Sequence, residues 1–179
     1  MSSTTVNPAW LGGRWRDRRA TLIVARFVLA ALAVGVCYSF EWHWLRQLTM
    51  ELNLRLDALL GVTLQRVSET TVMWQGGFYH YVIACTFADA WCASIPLTWN
   101  QRATLRSNLL FLAGFTLVLF AVNIVRLSLS DVLVARGLSW NMGHNVVSGI
   151  SYFLLWKFVW WRLMEFVRPA AAESEAQTV

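Results

Sequence analysis

Four long apolar runs divide the chain. They cover residues 20–40, 83–99, 109–129 and 146–164. A helix that crosses the hydrocarbon core of a bilayer needs about 20 predominantly apolar residues. The pattern therefore predicts an all-α membrane protein with about four transmembrane helices, the second of which could begin as early as Phe78.

Residues 41–77, between the first two runs, follow a different pattern. Leucines recur there at helical spacing and give one apolar face, which is typical of a helix lying on the membrane surface or on its neighbours. They are Leu45, Leu48, Leu52, Leu56 and Leu59. Gly61 then marks a helix end. The stretch "TTVMWQGGFYHYVI" predicts a short β-hairpin around Gly76 and Gly77.

The composition agrees with a membrane protein. Apolar residues make up 57% of the 179 residues and charged residues only 14%, and the mean hydropathy is +0.47. An ordinary soluble domain carries far more charge, and this length suits one domain covering residues 1–179. The 15 basic residues lie mostly at the ends of the apolar runs. We therefore expect no nucleic-acid partner, because no basic stripe with interleaved aromatic residues is present.

The distribution of arginine predicts the orientation. Basic residues concentrate in residues 1–19, in the 100–107 link and at the C-terminal end, and such segments face the cytoplasm. Both termini of this multi-pass protein of the inner (plasma) membrane are then cytoplasmic, whereas residues 41–77 and 130–145 face outside. We expect residues 168–179 to be a disordered tail. A cleaved signal peptide is the alternative for the first run, but "VGVCYSF" is a poor cleavage site, which favours a retained helix.

Arg126 is the most unusual residue of the third run. On insertion scales an arginine at the bilayer centre costs about 2.5–3.5 kcal/mol. Asn123 lies three residues earlier and shares its helix face. The predicted topology brings Arg126 to the same outer membrane depth as Cys85 and His144, which come from two other segments.

These three residue types could perform acyl transfer together. A cysteine near a helix N-terminus or a cation gains thiolate character. A histidine can take the thiol proton and later protonate a leaving amine, and an arginine can hold a developing oxyanion. Asn123 could orient Arg126 or bind substrate. For Asp89, one turn from Cys85, a structural and a functional role are equally open.

The remaining cysteines and histidines have simpler explanations. Cys37 and Cys92 are expected to be packing residues, and an odd number of cysteines cannot close one disulfide framework. His43 and His80 are expected at the interface. We expect no metal and no cofactor; a haem protein is less well supported, because the histidines do not lie stacked within helices.

Three pieces of sequence, in order, resemble the exosortase/archaeosortase family of membrane-embedded cysteine transpeptidases. They are "ACT" at 84–86, "NIVR" at 123–126 and "GHNVVSG" at 143–149, and the resemblance covers about residues 50–150. It implies Cys85 as nucleophile, Arg126 as stabiliser of the transition state or substrate, and His144 as acid and base. Phe87 stands where the family usually has glycine. Four crossings, about half the usual number, imply a compact variant.

Two function classes follow. The first, implied by the resemblance, is an enzyme that cleaves a C-terminal sorting tail from exported proteins through a cysteine thioester and passes the protein to an acceptor. Such a tail has a short motif, a transmembrane helix and a basic cluster. The second is a non-catalytic membrane scaffold or small transporter that uses Asn123 and Arg126 as intramembrane polar contacts. The expected partners are exported proteins and the lipid bilayer.

Overall fold

The computed structural model describes the backbone of residues 9–167 and the side chains of residues 20–166. Within that range the chain forms five α-helices and a three-stranded antiparallel sheet in the order β1-β2-β3. The helices are α1 (Ala9–Tyr38), α2 (His43–Leu59), α3 (Ala88–Thr98), α4 (Leu105–Ala135) and α5 (Trp140–Val167). The strands are β1 (Gln65–Arg66), β2 (Thr71–Trp74) and β3 (Gly77–His80). The mostly helical class is confirmed, and the tail 168–179 lies outside the described residues.

Two segments in the described range are long and apolar enough to cross a membrane, namely Ala20–Tyr38 and Leu105–Ala135. The 31 residues of α4 extend about 46 Å at 1.5 Å per residue, which exceeds a hydrocarbon core of roughly 30 Å. Helix α4 is therefore longer than a straight crossing would need. Its C-terminal turns contain the buried polar residues Ser128, Ser130 and Asp131, which suit a part of the helix that packs against protein.

The second apolar run is not one continuous helix. Strand β3 is followed by a 3₁₀ turn (Ile83–Thr86), and α3 has only 11 residues, or about 16 Å. A start at Phe78 is wrong, because the backbone of residues 77–80 pairs with β2. Phe87 then separates the 3₁₀ turn from α3 with a left-handed backbone (φ 57°). Cys85 and Cys92 consequently lie in different elements.

Helices α1 and α3 pack antiparallel along each other. Tyr38 at the end of α1 donates a hydrogen bond to Asp89 at the start of α3 (3.1 Å). Twelve residues earlier in α1, Arg26 donates to the carbonyl oxygens of Leu97 (3.2 Å) and Trp99 (2.9 Å). The last carbonyls of a helix have no partner within it, so the buried Arg26 caps α3.

The predicted hairpin is confirmed. Strands β2 and β3 pair from Thr71–His80 to Trp74–Gly77. The connecting residues Gln75 (φ 50°) and Gly76 (φ 79°) both have positive φ, as a two-residue type I′ turn requires. Strand β1 adds a third strand that the sequence pattern did not predict.

Helix α2 presents an unexpected face to the protein. Its buried residues are Thr49, Met50, Asn53 and Asp57, whereas the predicted leucine face, about a third of a turn away, is partly or fully exposed. Leu59, for example, is 84% exposed. The buried face is polar because the C-terminal turns of α4, against which α2 packs, carry polar side chains themselves.

The capping role of Arg26 generates a stability prediction. Arg26→Met should lower the stability of the purified protein by about 1–3 kcal/mol, because two buried carbonyl oxygens lose a charged donor. Arg106→Met, at an exposed position, is the control and should change stability little. Thermal unfolding in one detergent provides the comparison, and equal midpoints for the two variants would contradict the role of Arg26.

Candidate functional site

A cavity of about 190 Å³ lies between the small sheet, the 3₁₀ turn, the C-terminal part of α4 and the start of α5. Cys85 and His144 both line it, together with Asp131. Two of the three residues proposed from the sequence for catalysis therefore share one cavity, although 59 positions separate them.

Arg126 lies beside this cavity and not on its wall. The guanidinium is 4% exposed and donates to Ser148 Oγ (2.7 Å) and Asn123 Oδ1 (3.0 Å). It also lies over the ring of Phe87, 4.5 Å from the centroid. The Nε atom is buried and has no partner. Arg126 is thus held by contacts to three residues, and its Nε–H has no partner.

Asn123 connects Arg126 with the segment that carries Cys85. Its side-chain Nδ2 donates to the Cys85 carbonyl oxygen (2.7 Å), while Oδ1 accepts from Arg126. The prediction that Asn123 orients Arg126 agrees with this contact. One fully buried amide therefore determines the position of both the arginine and the cysteine backbone.

The electrostatic surroundings of Cys85 oppose a resting thiolate. Cys85 packs against an apolar cluster that includes Met50, Val72, Tyr81 and Leu127, and apolar surroundings disfavour the charged thiolate. The expected activation by a helix N-terminus is absent, since Cys85 lies in the 3₁₀ turn and α3 begins three residues later. A nucleophilic Cys85 would consequently need a base.

His144 occupies the first turns of α5 in a position suited to that task. Its ring stacks on Trp140 at 4.9 Å with an interplanar angle of 9°, and its Nδ1 atom is buried without a partner. Gly143 allows this placement, because an added Cβ would lie 2.9 Å from Val134 Cγ2 and 3.4 Å from the Ser130 carbonyl oxygen. Close approach of α5 to α4 thus brings the histidine to the cavity.

A buried acidic pair beside the cavity was missed by sequence reasoning. Asn53 Nδ2 donates to Asp57 Oδ2 and to Asp131 Oδ2, the latter at 3.0 Å. Burial raises the pKa of Asp57, so two carboxylates around one amide favour retention of a shared proton. Asn53 and Asp57 are four residues apart, which shows a common helix face, but nothing in the sequence shows that this face meets Asp131.

Asp89 and the other two cysteines lie elsewhere. Asp89 does not line the cavity; it accepts hydrogen bonds from Tyr38 and from the backbone N–H of Ala90 (2.8 Å). The thiols of Cys37 and Cys92 hydrogen-bond to each other between α1 and α3. This contact fits the packing role expected for both.

The remaining histidines have local partners. His43 pairs with Glu69 at 2.6 Å, and His80 Nδ1 lies 2.9 Å from Thr71 Oγ1. Among the residues whose side chains are described, no group of three or more His, Cys, Asp and Glu residues could hold a metal ion.

No family model matches the sequence, and neither a curated protein nor a solved structure matches it.

Phe87 combines a strained backbone with a buried ring. The residue adopts φ 57° and ψ 16°, a left-handed conformation that costs a residue with a Cβ roughly 1–2 kcal/mol. Its ring is 1% exposed and packs on Arg126 and on Tyr152, whose centroid lies 4.7 Å away. The backbone suits glycine, whereas the ring packing requires phenylalanine.

This conflict predicts that glycine is more stabilising than alanine at position 87, the reverse of their usual order within a helix. Phe87→Gly and Phe87→Ala both remove the ring, but the glycine variant should be more stable by about 1 kcal/mol, because only alanine retains the left-handed strain. At Phe158, inside α5, the order should reverse, with alanine favoured by about 1 kcal/mol. Denaturant unfolding of the four variants in mixed micelles measures both differences. The same order at both positions would contradict a strained Phe87.

Proposed function

We propose that this protein is a compact exosortase-like cysteine transpeptidase that removes C-terminal sorting tails from exported proteins. One observation carries the proposal: Cys85 and His144 line the same cavity, and Asn123 joins the Cys85 backbone to the buried Arg126. A nucleophile, a base and a fixed positive charge thus come from three separate elements.

The reaction would begin with a protonated Cys85. His144 takes the thiol proton, and the thiolate sulfur attacks the carbonyl carbon of the scissile peptide bond. The positive charge of Arg126 stabilises the negative charge that develops beside Cys85. His144 then gives the proton to the leaving amine, the tail departs, and a thioester to Cys85 remains for the acceptor to resolve.

The proposed topology has four crossings, made by α1, the second apolar run, α4 and α5, with both termini in the cytoplasm of the plasma membrane. Because α3 extends only about 16 Å, the second crossing also needs the residues that flank α3. Helices α1 and α3 pack antiparallel. This supports a chain that leaves the cytoplasm along α1 and returns towards it along α3. The cavity then lies at the outer face, where an exported protein anchored by its tail helix would present its cleavage site.

A non-catalytic role is the second candidate, and specific contacts favour it. Arg126 joins α4 to α5 through Ser148, and Asn123 joins α4 to the 3₁₀ turn. The same contacts would strengthen a scaffold that performs no chemistry. The difference between the two candidates is whether Cys85 and His144 are needed beyond folding.

The nucleophile can be tested with the three cysteines as matched variants. Cys85→Ala should abolish tail removal from a tail-bearing exported protein, whereas Cys37→Ala and Cys92→Ala should leave it largely intact. His144→Ala should also stop the reaction, because the buried thiol then lacks a base. Substrate size on a gel, at matched expression of each variant, is the measurement. Normal processing in Cys85→Ala would exclude the proposed enzyme.

Arg126→Lys separates the catalytic from the scaffold role. Lysine retains the charge but loses the planar, forked donor geometry that reaches Ser148 and Asn123 together. Loss of one oxyanion donor costs roughly 10²–10³ in rate in a well-studied protease, so processing should fall by a comparable factor at normal protein level. Reduced protein level with a normal rate per molecule would favour the scaffold.

A further inference from the structure

The walls of the cavity have a chemistry that the proposed peptide cleavage does not use. Aromatic rings form one continuous side: the Trp74 and Tyr79 centroids lie 6.3 Å apart, and Tyr79 lies 4.6 Å from Trp140. Phe78 and Tyr81 add further rings. The faces of such rings attract cations.

The one carboxylate on this wall, Asp131, lacks a cationic partner. The four ion pairs in the part of the chain that the structure describes all join other residues. Arg126 lies five residues earlier and its charge acts on Asp131, but its hydrogen bonds go to Ser148 and Asn123 and none joins it to Asp131. Arg46, the next cation, donates to the Tyr81 carbonyl and to Thr70.

Asp131 also belongs to a group of buried polar side chains whose hydrogen bonding is incomplete. Asn53 Oδ1 and Asp57 Oδ1 are buried without partners. One shared proton would neutralise one carboxylate of the Asp57–Asp131 pair and leave one negative charge. Asp131 is the carboxylate of this pair that lines the cavity, so a cationic ligand there can lie against it.

We propose that the cavity binds a primary alkylammonium group against Asp131 and the aromatic wall, beside Cys85. Its volume of about 190 Å³ is well above the roughly 10–15 Å³ that one water needs. If the proposed transpeptidase function holds, on which this part of the inference rests, the bound amine is the acceptor that resolves the thioester.

The acceptor step balances as follows. The ammonium group loses one proton to Asp131, from which the proton passes to solvent, and becomes a nucleophilic amine. Its nitrogen attacks the thioester carbonyl; the C–N bond forms and the C–S bond breaks. His144 takes the second proton from nitrogen and returns it to the Cys85 sulfur, which leaves an amide and a free thiol.

Cation binding can be measured without any substrate protein. In a full-length Cys37→Ser/Cys92→Ser protein, Cys85 is the single thiol, and its alkylation by neutral iodoacetamide reports access to the cavity. Ethanolamine should slow alkylation in a saturable way, whereas ethylene glycol, its uncharged analogue, should not at equal ionic strength. Equal protection by ethanolamine and ethylene glycol overturns the proposal. Absence of protection by ethanolamine here, and by ethanolamine and aminolipid in the nanodiscs described below, also overturns it.

Variants locate the interaction. Asp131→Asn should raise the half-protecting ethanolamine concentration at least about tenfold, equivalent to about 1.4 kcal/mol. Glu69→Gln, which neutralises a carboxylate paired with His43 away from the cavity, should leave it unchanged. Trp140→Leu, which removes part of the ring wall, should weaken protection as well and remains informative if Asp131→Asn does not fold. Unchanged protection in both cavity variants contradicts the assignment.

A second arm distinguishes a lipid headgroup from a free amine. The same protein is placed in nanodiscs of phosphatidylglycerol, with or without phosphatidylethanolamine. Protection by the aminolipid identifies a headgroup as the source, and protection only by added ethanolamine identifies a soluble amine; either result supports the proposal. Because this assay does not involve tail cleavage, normal cation binding in a protein that cleaves nothing would overturn only the transpeptidase function.

Discussion

The buried guanidinium of Arg126 is the contact on which the centre of the structure depends. A cation in an apolar helix is tolerated only if its donors find partners, and here Ser148, Asn123 and the ring of Phe87 surround it. Ser148 comes from α5, Asn123 from α4 itself and Phe87 from the residue before α3, so the contacts that stabilise this one charge join the three helices. The cavity is adjacent to this junction, so the same contacts hold its neighbouring wall in place.

The backbone at Phe87 is the second part of the same arrangement. A left-handed residue ends the 3₁₀ turn and restarts the chain as α3, which turns the Cys85 carbonyl towards Asn123 and leaves the Cys85 side chain on the cavity. The strain is offset by ring packing on Arg126. The position of Cys85 and the burial of Arg126 therefore depend on each other. Neither is determined by the 3₁₀ turn or by α4 alone.

A polar layer at the C-terminal turns of α4 completes the site. Helix α2 buries Asn53 and Asp57 against Asp131, and the sheet closes the cavity with aromatic side chains. Unpartnered buried oxygen atoms in this layer cost free energy, which a well-packed apolar interface would avoid. Their position around a cavity is consistent with a layer shaped for a polar ligand as well as for stability.

The sequence by itself determined the helical class, the apolar runs and the hairpin, because helix and strand periodicity and the turn residues Gln75 and Gly76 act locally. It also singled out Arg126 and Asn123, since a charge and an amide one turn apart are conspicuous in an apolar run. The break at Phe87, the polar buried face of α2 and the meeting of Asp57 with Asp131 were decided only by tertiary structure. They depend on which helix faces which, and burial and pairing between distant segments leave no periodic signal in the chain.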